Sequence, residues 1–171
     1  MEGVELSHSR GTLVVVEGLD KAGKSTQCAR LVKNLENLGK PVRHLRFPGC
    51  VYSAAKEVEG IDLEWARWPD VGLPRPDICI FLDISPSDAA KRGNFGVEKY
   101  ETTEMQDRVR KLFGDIRGSV DKEDFFVIDA GKSEREVEER ILQAVRDRSE
   151  QLRMTGGPQE LRSVLPMRPE S

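Results

Sequence analysis

The sequence contains few cysteine, histidine and aromatic residues. Of 171 residues, three are Cys, two are His and 6% are aromatic. Cys28, Cys50 and Cys79 do not have the spacing of metal ligands, and an odd number of cysteines is typical of a reducing compartment rather than of a disulfide framework. We therefore expect no Cys/His metal site and an intracellular, cytoplasmic location.

The sequence also has no large excess of one charge and no long apolar run. The formal net charge is -3 and the pI is about 5.6, whereas nucleic-acid-binding domains usually carry a basic surplus. No segment approaches the roughly 20 apolar residues that span a bilayer. Residues 1–9 include two glutamates and have neither the apolar core of a secretory signal nor the arginine pattern of a transit peptide. We expect no nucleic-acid partner, no membrane segment and no targeting signal.

One motif carries chemistry. A β-branched run at 12–16 precedes the pattern G-x-x-x-x-G-K-S, which is followed by a helical pattern, and a phosphate-binding loop (P-loop) requires this context. Its backbone N–H groups and the helix N-terminus would surround phosphates, Lys24 would reach the β/γ-phosphates, and the Ser25 hydroxyl would help to hold Mg²⁺. The predicted ATP-binding residues of the loop are Gly18, Leu19, Asp20, Lys21, Ala22, Gly23, Lys24, Ser25 and Thr26. The alternative is a glycine turn without a ligand.

Strands alternate with helices along the chain. Apolar runs predict strands at 12–17, 42–47, 77–83 and 125–128, and periodicity predicts helices at 24–38, 86–91, 101–113 and 134–151. This order implies a parallel sheet inside a three-layer α/β/α sandwich of the P-loop NTPase type. We expect an N-terminal extension at 1–9, one domain at 10–153 and a disordered tail at 154–171. Between 48 and 76 only a short helix, about 52–59, is readable, and no strand.

Five segments together resemble the thymidylate kinase family: 10–27 with its Glu-Gly-x-Asp, 45–48, 70–77, the lid-like 89–101, and 129–133. The resemblance implies transfer of the ATP γ-phosphoryl group to dTMP, with Mg²⁺, and a possible homodimer. It gives catalytic roles to Lys24, Lys21 and Asp20. It places the lid at about 85–106, with Arg92 against adenine, and Lys132 in the loop behind adenine. The alternative for the basic lid residues is a solvated helix end.

The resemblance also assigns residues to the dTMP site. They are Asp20, Phe47, Tyr52, Tyr100 and Gln106. Phe47 and Tyr52 could equally be ordinary core or turn residues, because aromatic side chains usually fill the core.

The chain departs from the family between Pro48 and Val51. There the family continues with a phosphate-binding arginine, a helix bearing Asn-Arg-Trp, and a strand ending in Asp-Arg-Tyr; here the sequence resumes after that strand. This internal deletion predicts that one central strand is missing and that dTMP phosphorylation is impaired. The alternatives are an inactive ATP-binding or regulatory isoform and, disfavoured by the lid and Asp20, another small-molecule P-loop kinase.

Overall fold

Three strands and four helices form the described part of the molecule. A computed structural model describes residues 11–45, 68, 71–92, 103–119 and 124–154. The elements, in chain order, are β1 (Val14–Gly18), α1 (Lys24–Asn37), β2 (Ile78–Asp83), α2 (Pro86–Lys91), α3 (Thr103–Ser119), β3 (Phe125–Asp129) and α4 (Glu134–Met154).

The strands form a parallel sheet in the order β1-β2-β3. The register aligns Val16 of β1 with Ile80 of β2, and Ile80 with Phe126 of β3. Strands of a parallel sheet are usually covered on both faces, which is why these three read as nearly continuous apolar runs. The predicted α/β class of the P-loop NTPase type is confirmed.

Helices α3 and α4 bury the sheet. The Phe81 ring of β2 lies 4.4 Å, centroid to centroid, from Phe113 of α3. Helix α4 buries Val137, Ile141 and Val145 at four-residue spacing, which is one helical stripe. It contacts β2, β3 and α1, so the first and last helices pack against each other.

The prediction of a strand at 42–47 is wrong where the structure describes it. Residues 42–45 follow α1 without forming a strand, and 46–47 lie outside the described residues. Leu45 is 54% exposed, whereas a strand inside a parallel sheet would bury such a side chain. A strand forms only beside a partner, and no described strand lies on the far side of β1. The physical reason is therefore the absent neighbour: β1 ends the described sheet, and the segment after α1 has no ladder to join.

Other boundaries differ slightly from the prediction. Strand β1 begins at Val14 rather than at residue 12, α3 continues to Ser119, and α4 continues to Met154. The helix predicted at 52–59 lies outside the described residues, and the proposed domain limits stay a prediction.

A buried ionic network closes the end of the sheet opposite the P-loop. Asp124, just before β3, is 3% exposed and pairs with Arg148 of α4 and, at 2.8 Å, with Arg75. Arg148 also donates to the backbone oxygen of Asp77 at 2.9 Å, and the Asp77 carboxylate accepts from the Leu13 N–H at 2.8 Å. The network joins the starts of all three strands to α4.

Candidate active site at the carboxyl ends of the strands

The P-loop follows β1 and presses against β2. Gly18 has φ +153°, and a Cβ there would lie 2.4 Å from the Leu82 carbonyl oxygen, so this position excludes a side chain. Gly23 has φ +88° and is the N-cap of α1, a left-handed conformation that glycine adopts without steric cost. The side chain of Ala22 is buried. The turn is therefore fixed by backbone packing.

The first turn of α1 follows the loop directly and has no side-chain cap. Gly23 provides no side-chain cap, and helix N-termini leave their first N–H groups without intrahelical partners. These donors, with the helix dipole, form the kind of site that binds phosphate.

Lys24 lies over this loop. Its Nζ donates to the carbonyl oxygens of Gly18 at 2.6 Å and Leu19 at 3.1 Å, and it lies 3.9 Å from Asp20 Oδ1. Burial lowers the pKa of the Lys24 ammonium, and the carboxylates of Asp20 and Glu17 oppose that shift. The predicted loop residues therefore lie together. Lys24 is positioned where phosphate oxygens could replace the Gly18 and Leu19 carbonyl oxygens as acceptors of its hydrogen bonds.

The residues that would hold Mg²⁺ fit an ion that enters the site bound to the nucleotide phosphates. Ser25 and Thr26 are exposed on the first turn of α1, and within the described ranges no protein group bonds the Ser25 hydroxyl. No cluster of three metal-ligating side chains occurs among the residues described. Mg²⁺ usually binds through one or two protein ligands together with substrate phosphates and water, and the Ser25 hydroxyl is a ligand of that kind.

Arg92 connects the P-loop with the loop after β3. It donates through Nη1 to the Lys21 carbonyl oxygen at 2.8 Å and through Nη2 to the Ala130 carbonyl oxygen. Guanidinium N–H donors lie at the edge of the planar group, so these bonds are compatible with the predicted stacking of its face on adenine. Lys132 is in the predicted loop, but its Nζ faces Asp129 at 3.8 Å.

On the acceptor side the structure describes Gln106 and Asp20. Gln106, in α3, is 3% exposed, and neither side-chain polar atom has a hydrogen-bond partner in the described part of the chain. Buried amides are normally satisfied, so the Gln106 amide has its donors and acceptor available for a polar ligand. Phe47, Tyr52 and Tyr100 lie outside the described residues.

Sequence reasoning missed two contacts near the site. Gln27, in the second turn of α1, is 4% exposed and donates to the Glu134 carbonyl oxygen at 2.9 Å, which ties the P-loop helix to α4. The sequence signal for Gln27 was its position three residues after Lys24, on the helix that follows the P-loop. Asp83, at the end of β2, accepts from Arg110 Nε at 3.0 Å. Asp83 is therefore paired with an arginine. The pair lines a cleft of 520 Å³ that also includes Asp129 and Arg140.

Comparisons with known proteins agree on one family. The sequence model described as thymidylate kinase matches residues 42–141. Similar curated proteins are named thymidylate kinase in Arabidopsis thaliana (32% identity, covering 81% of this chain and 72% of that protein), in Schizosaccharomyces pombe (32%, 80% and 92%) and in Homo sapiens (30%, 77% and 88%). A solved thymidylate kinase structure from Candida albicans matches with TM-score 0.62 and 20% identity, over 82% of this chain and 93% of that one; at that identity it supports the fold.

The alignments also bear on chain length. The match to the Arabidopsis protein extends over 196 positions, whereas this chain has 171 residues in all, so at least 25 aligned positions have no counterpart here. Among the helices described, none is long and apolar enough to cross a membrane.

Proposed function

The chain belongs to the thymidylate kinase family, and from that premise we propose that it binds Mg²⁺-ATP in the P-loop and transfers the γ-phosphoryl group to dTMP slowly. The product would be dTDP. It would bind these two small molecules in the cytoplasm. A homodimer, which the family resemblance implies, would be tested by sedimentation.

One observation supports binding of the phosphoryl donor. The loop from Gly18 to Gly23 ends at a helix N-terminus without a side-chain cap, and the Lys24 ammonium bonds the loop carbonyls of Gly18 and Leu19. Phosphoryl transfer needs positioning and cationic stabilisation more than covalent participation by the protein. Lys24 would supply charge to the transferring group. Lys21 would add a second cation and Asp20 would face the acceptor. Mg²⁺, held by Ser25 and the phosphates, would neutralise charge on the β/γ-oxygens.

The acceptor half is supported by Gln106. Its unpaired amide could both donate to and accept from the edge of a pyrimidine base, and such a ligand would satisfy the buried group. Phe47, Tyr52 and Tyr100 would line the same pocket, as the family resemblance implies.

We propose a reduced rate because the acceptor clamp is incomplete. The family resemblance implies one arginine on the dTMP phosphate and a second near the thymine, and neither has a counterpart in the sequence between Pro48 and Val51. Arg75, Arg110 and Arg148 each bond protein carboxylates or carbonyls. A hydrogen bond to a charged group contributes about 1.5–3 kcal/mol, so two such losses would slow transfer by at least about a hundredfold if they add.

The second candidate is an ATP-binding isoform without kinase activity. The position of β1 at the end of the described sheet favours it, since the P-loop strand then lacks a neighbour that would position acceptor groups. The two candidates share the donor site and differ only in dTDP formation.

The donor site is tested by thermal unfolding with Mg²⁺-ATP. Ligand at about 100 times its Kd stabilises the native state by about 2.7 kcal/mol, which for a chain of this size raises Tm by roughly 5–10 °C. Lys24→Ala should abolish the rise. Lys33→Ala, which removes the same charge from an exposed position on the same helix, should keep it. A parent chain whose Tm does not respond to Mg²⁺-ATP would contradict the proposal.

A further inference from the structure

Arg92 holds the backbone of the P-loop through a contact that adenine stacking does not require. Its two hydrogen bonds reach carbonyl oxygens 71 and 38 residues away, at Lys21 and Ala130. We propose that Arg92 is a positioning residue that fixes the P-loop in its phosphate-binding conformation before any nucleotide base is bound. The inference rests on the proposed ATP site and extends it to a residue outside the loop.

The first anchor is a strained position. Lys21 has φ +60°, and among the described residues it is the non-glycine residue with positive φ. A non-glycine residue in the left-handed region is strained and persists where its surroundings hold it. The Arg92 bond to the Lys21 carbonyl fixes the orientation of the peptide between Lys21 and Ala22, which in turn sets the direction of a loop N–H.

The second anchor is rigid. Ala130 is fully buried, and its N–H donates to the Asp83 carbonyl oxygen at 2.6 Å. Arg92 is itself fixed at the end of α2, where its N–H donates to the Ala89 carbonyl oxygen at 3.1 Å. The guanidinium therefore connects the strained loop to the carboxyl ends of the sheet. Its planar fork of donors bonds two carbonyls of different loops in fixed directions, whereas a lysine ammonium at this position would act as a single point charge.

The guanidinium also lies beside the turn that ends the loop. A Cβ built on Gly23 would be 3.5 Å from Arg92 Nη1. Arg92 thus bonds the strained residue and lies beside the N-cap of α1, at the two ends of the turn that leads into the helix.

Two phosphate ligands separate this role from stacking on adenine. Mg²⁺-ATP and Mg²⁺-tripolyphosphate, which has no base, are titrated by calorimetry into the parent chain, Arg92→Ala and Arg92→Lys. We expect Arg92→Ala to weaken tripolyphosphate by about tenfold and ATP by at least the same factor, because a smaller fraction of the loop is binding-competent. Arg92→Lys should restore little of the loss. Arg135→Ala, which removes an exposed guanidinium from the first turn of α4, should leave both affinities unchanged.

Weaker ATP binding with unchanged tripolyphosphate binding in Arg92→Ala would overturn the proposal, since that pattern requires only contact with the base. A parent chain that binds neither ligand would contradict the proposed function instead, and the positioning role is then decided by hydrogen exchange without ligand. The Ala22 N–H, which donates to the Leu19 carbonyl at 3.2 Å, should exchange about tenfold faster in Arg92→Ala, while amides in the middle of α4 keep the parent rate. Equal exchange at Ala22 in both proteins would overturn the inference, as would an equal acceleration in α4, which would indicate general unfolding.

Discussion

Replacing Gln106 with methionine should stabilise the protein and weaken dTMP binding at the same time. The side chain is 3% exposed, and both its Oε1 and its Nε2 lack a partner in the described structure. A buried polar group without a hydrogen bond costs about 1–3 kcal/mol. Methionine has the same unbranched length and a similar helix propensity, so it removes that cost while keeping the packing.

We expect the free energy of unfolding of Gln106→Met to rise by about 1–3 kcal/mol, measured by urea denaturation with an unchanged m-value. Isothermal titration should show that dTMP affinity falls by about tenfold or more, because the base loses its polar partner.

Gln27→Met is the matched control. Gln27 is equally buried and its Oε1 also lacks a partner among the described residues, but its Nε2 donates to a backbone carbonyl of α4. Gln27→Met breaks that bond and leaves the carbonyl unpaired, so it should lower the free energy of unfolding or leave it unchanged. A loss of more than about 1 kcal/mol in Gln106→Met, as expected when a satisfied hydrogen bond is removed, would refute the reasoning, since it would mean that the amide is already bonded.

Three further substitutions test the framework around the site. Gly18→Ala should lower the free energy of unfolding by about 1–3 kcal/mol through overpacking against β2. Gly114→Ala, in open space on α3, should raise it by about 0.5–1 kcal/mol, and equal effects in urea denaturation would contradict the packing. Asp124→Asn leaves two arginines without their carboxylate and should cost about 3–5 kcal/mol in the same assay, and a loss below 1 kcal/mol would argue against the network. Hydrogen bonds from Asn34 and from an arginine on α1 lower the pKa of Glu138 below its ordinary 4.5. That stabilisation is complete above pH 4.5 and is lost as the pH falls through the lowered pKa, so Glu138→Gln should flatten this acid limb of a Tm–pH profile, and an unchanged limb would count against it.

Local features of the fold and site could be predicted from the sequence. The P-loop depends on residues 18–26 and on the strand and helix that adjoin them, so the pattern was sufficient. The strands at 78–83 and 125–129 were readable because buried parallel strands are continuous apolar runs.

Features that join distant residues could not be predicted in this way. Segment 42–45 has the composition of a strand, but strand formation depends on a neighbour that composition does not reveal. The Arg92 contacts to Lys21 and Ala130 and the pair between Arg110 and Asp83 each join different elements of the fold. Nothing in the local pattern distinguishes these arginines from solvent-exposed ones.

The most direct test of the central claim is dTDP formation by the purified chain. Labelled ATP and dTMP are incubated with this protein and with a length-restored version that carries the family segment between Pro48 and Val51, both at saturating Mg²⁺-ATP. Displacement of the acceptor phosphate by about 1 Å can cost roughly a hundredfold in rate. We predict that both proteins bind Mg²⁺-ATP with similar affinity and that this chain forms dTDP at least about a hundredfold more slowly, on the same grounds. Turnover within about tenfold of the length-restored enzyme would contradict the claim. It would mean that the acceptor phosphate is held in nearly the same position in both proteins, with a displacement of less than about 1 Å.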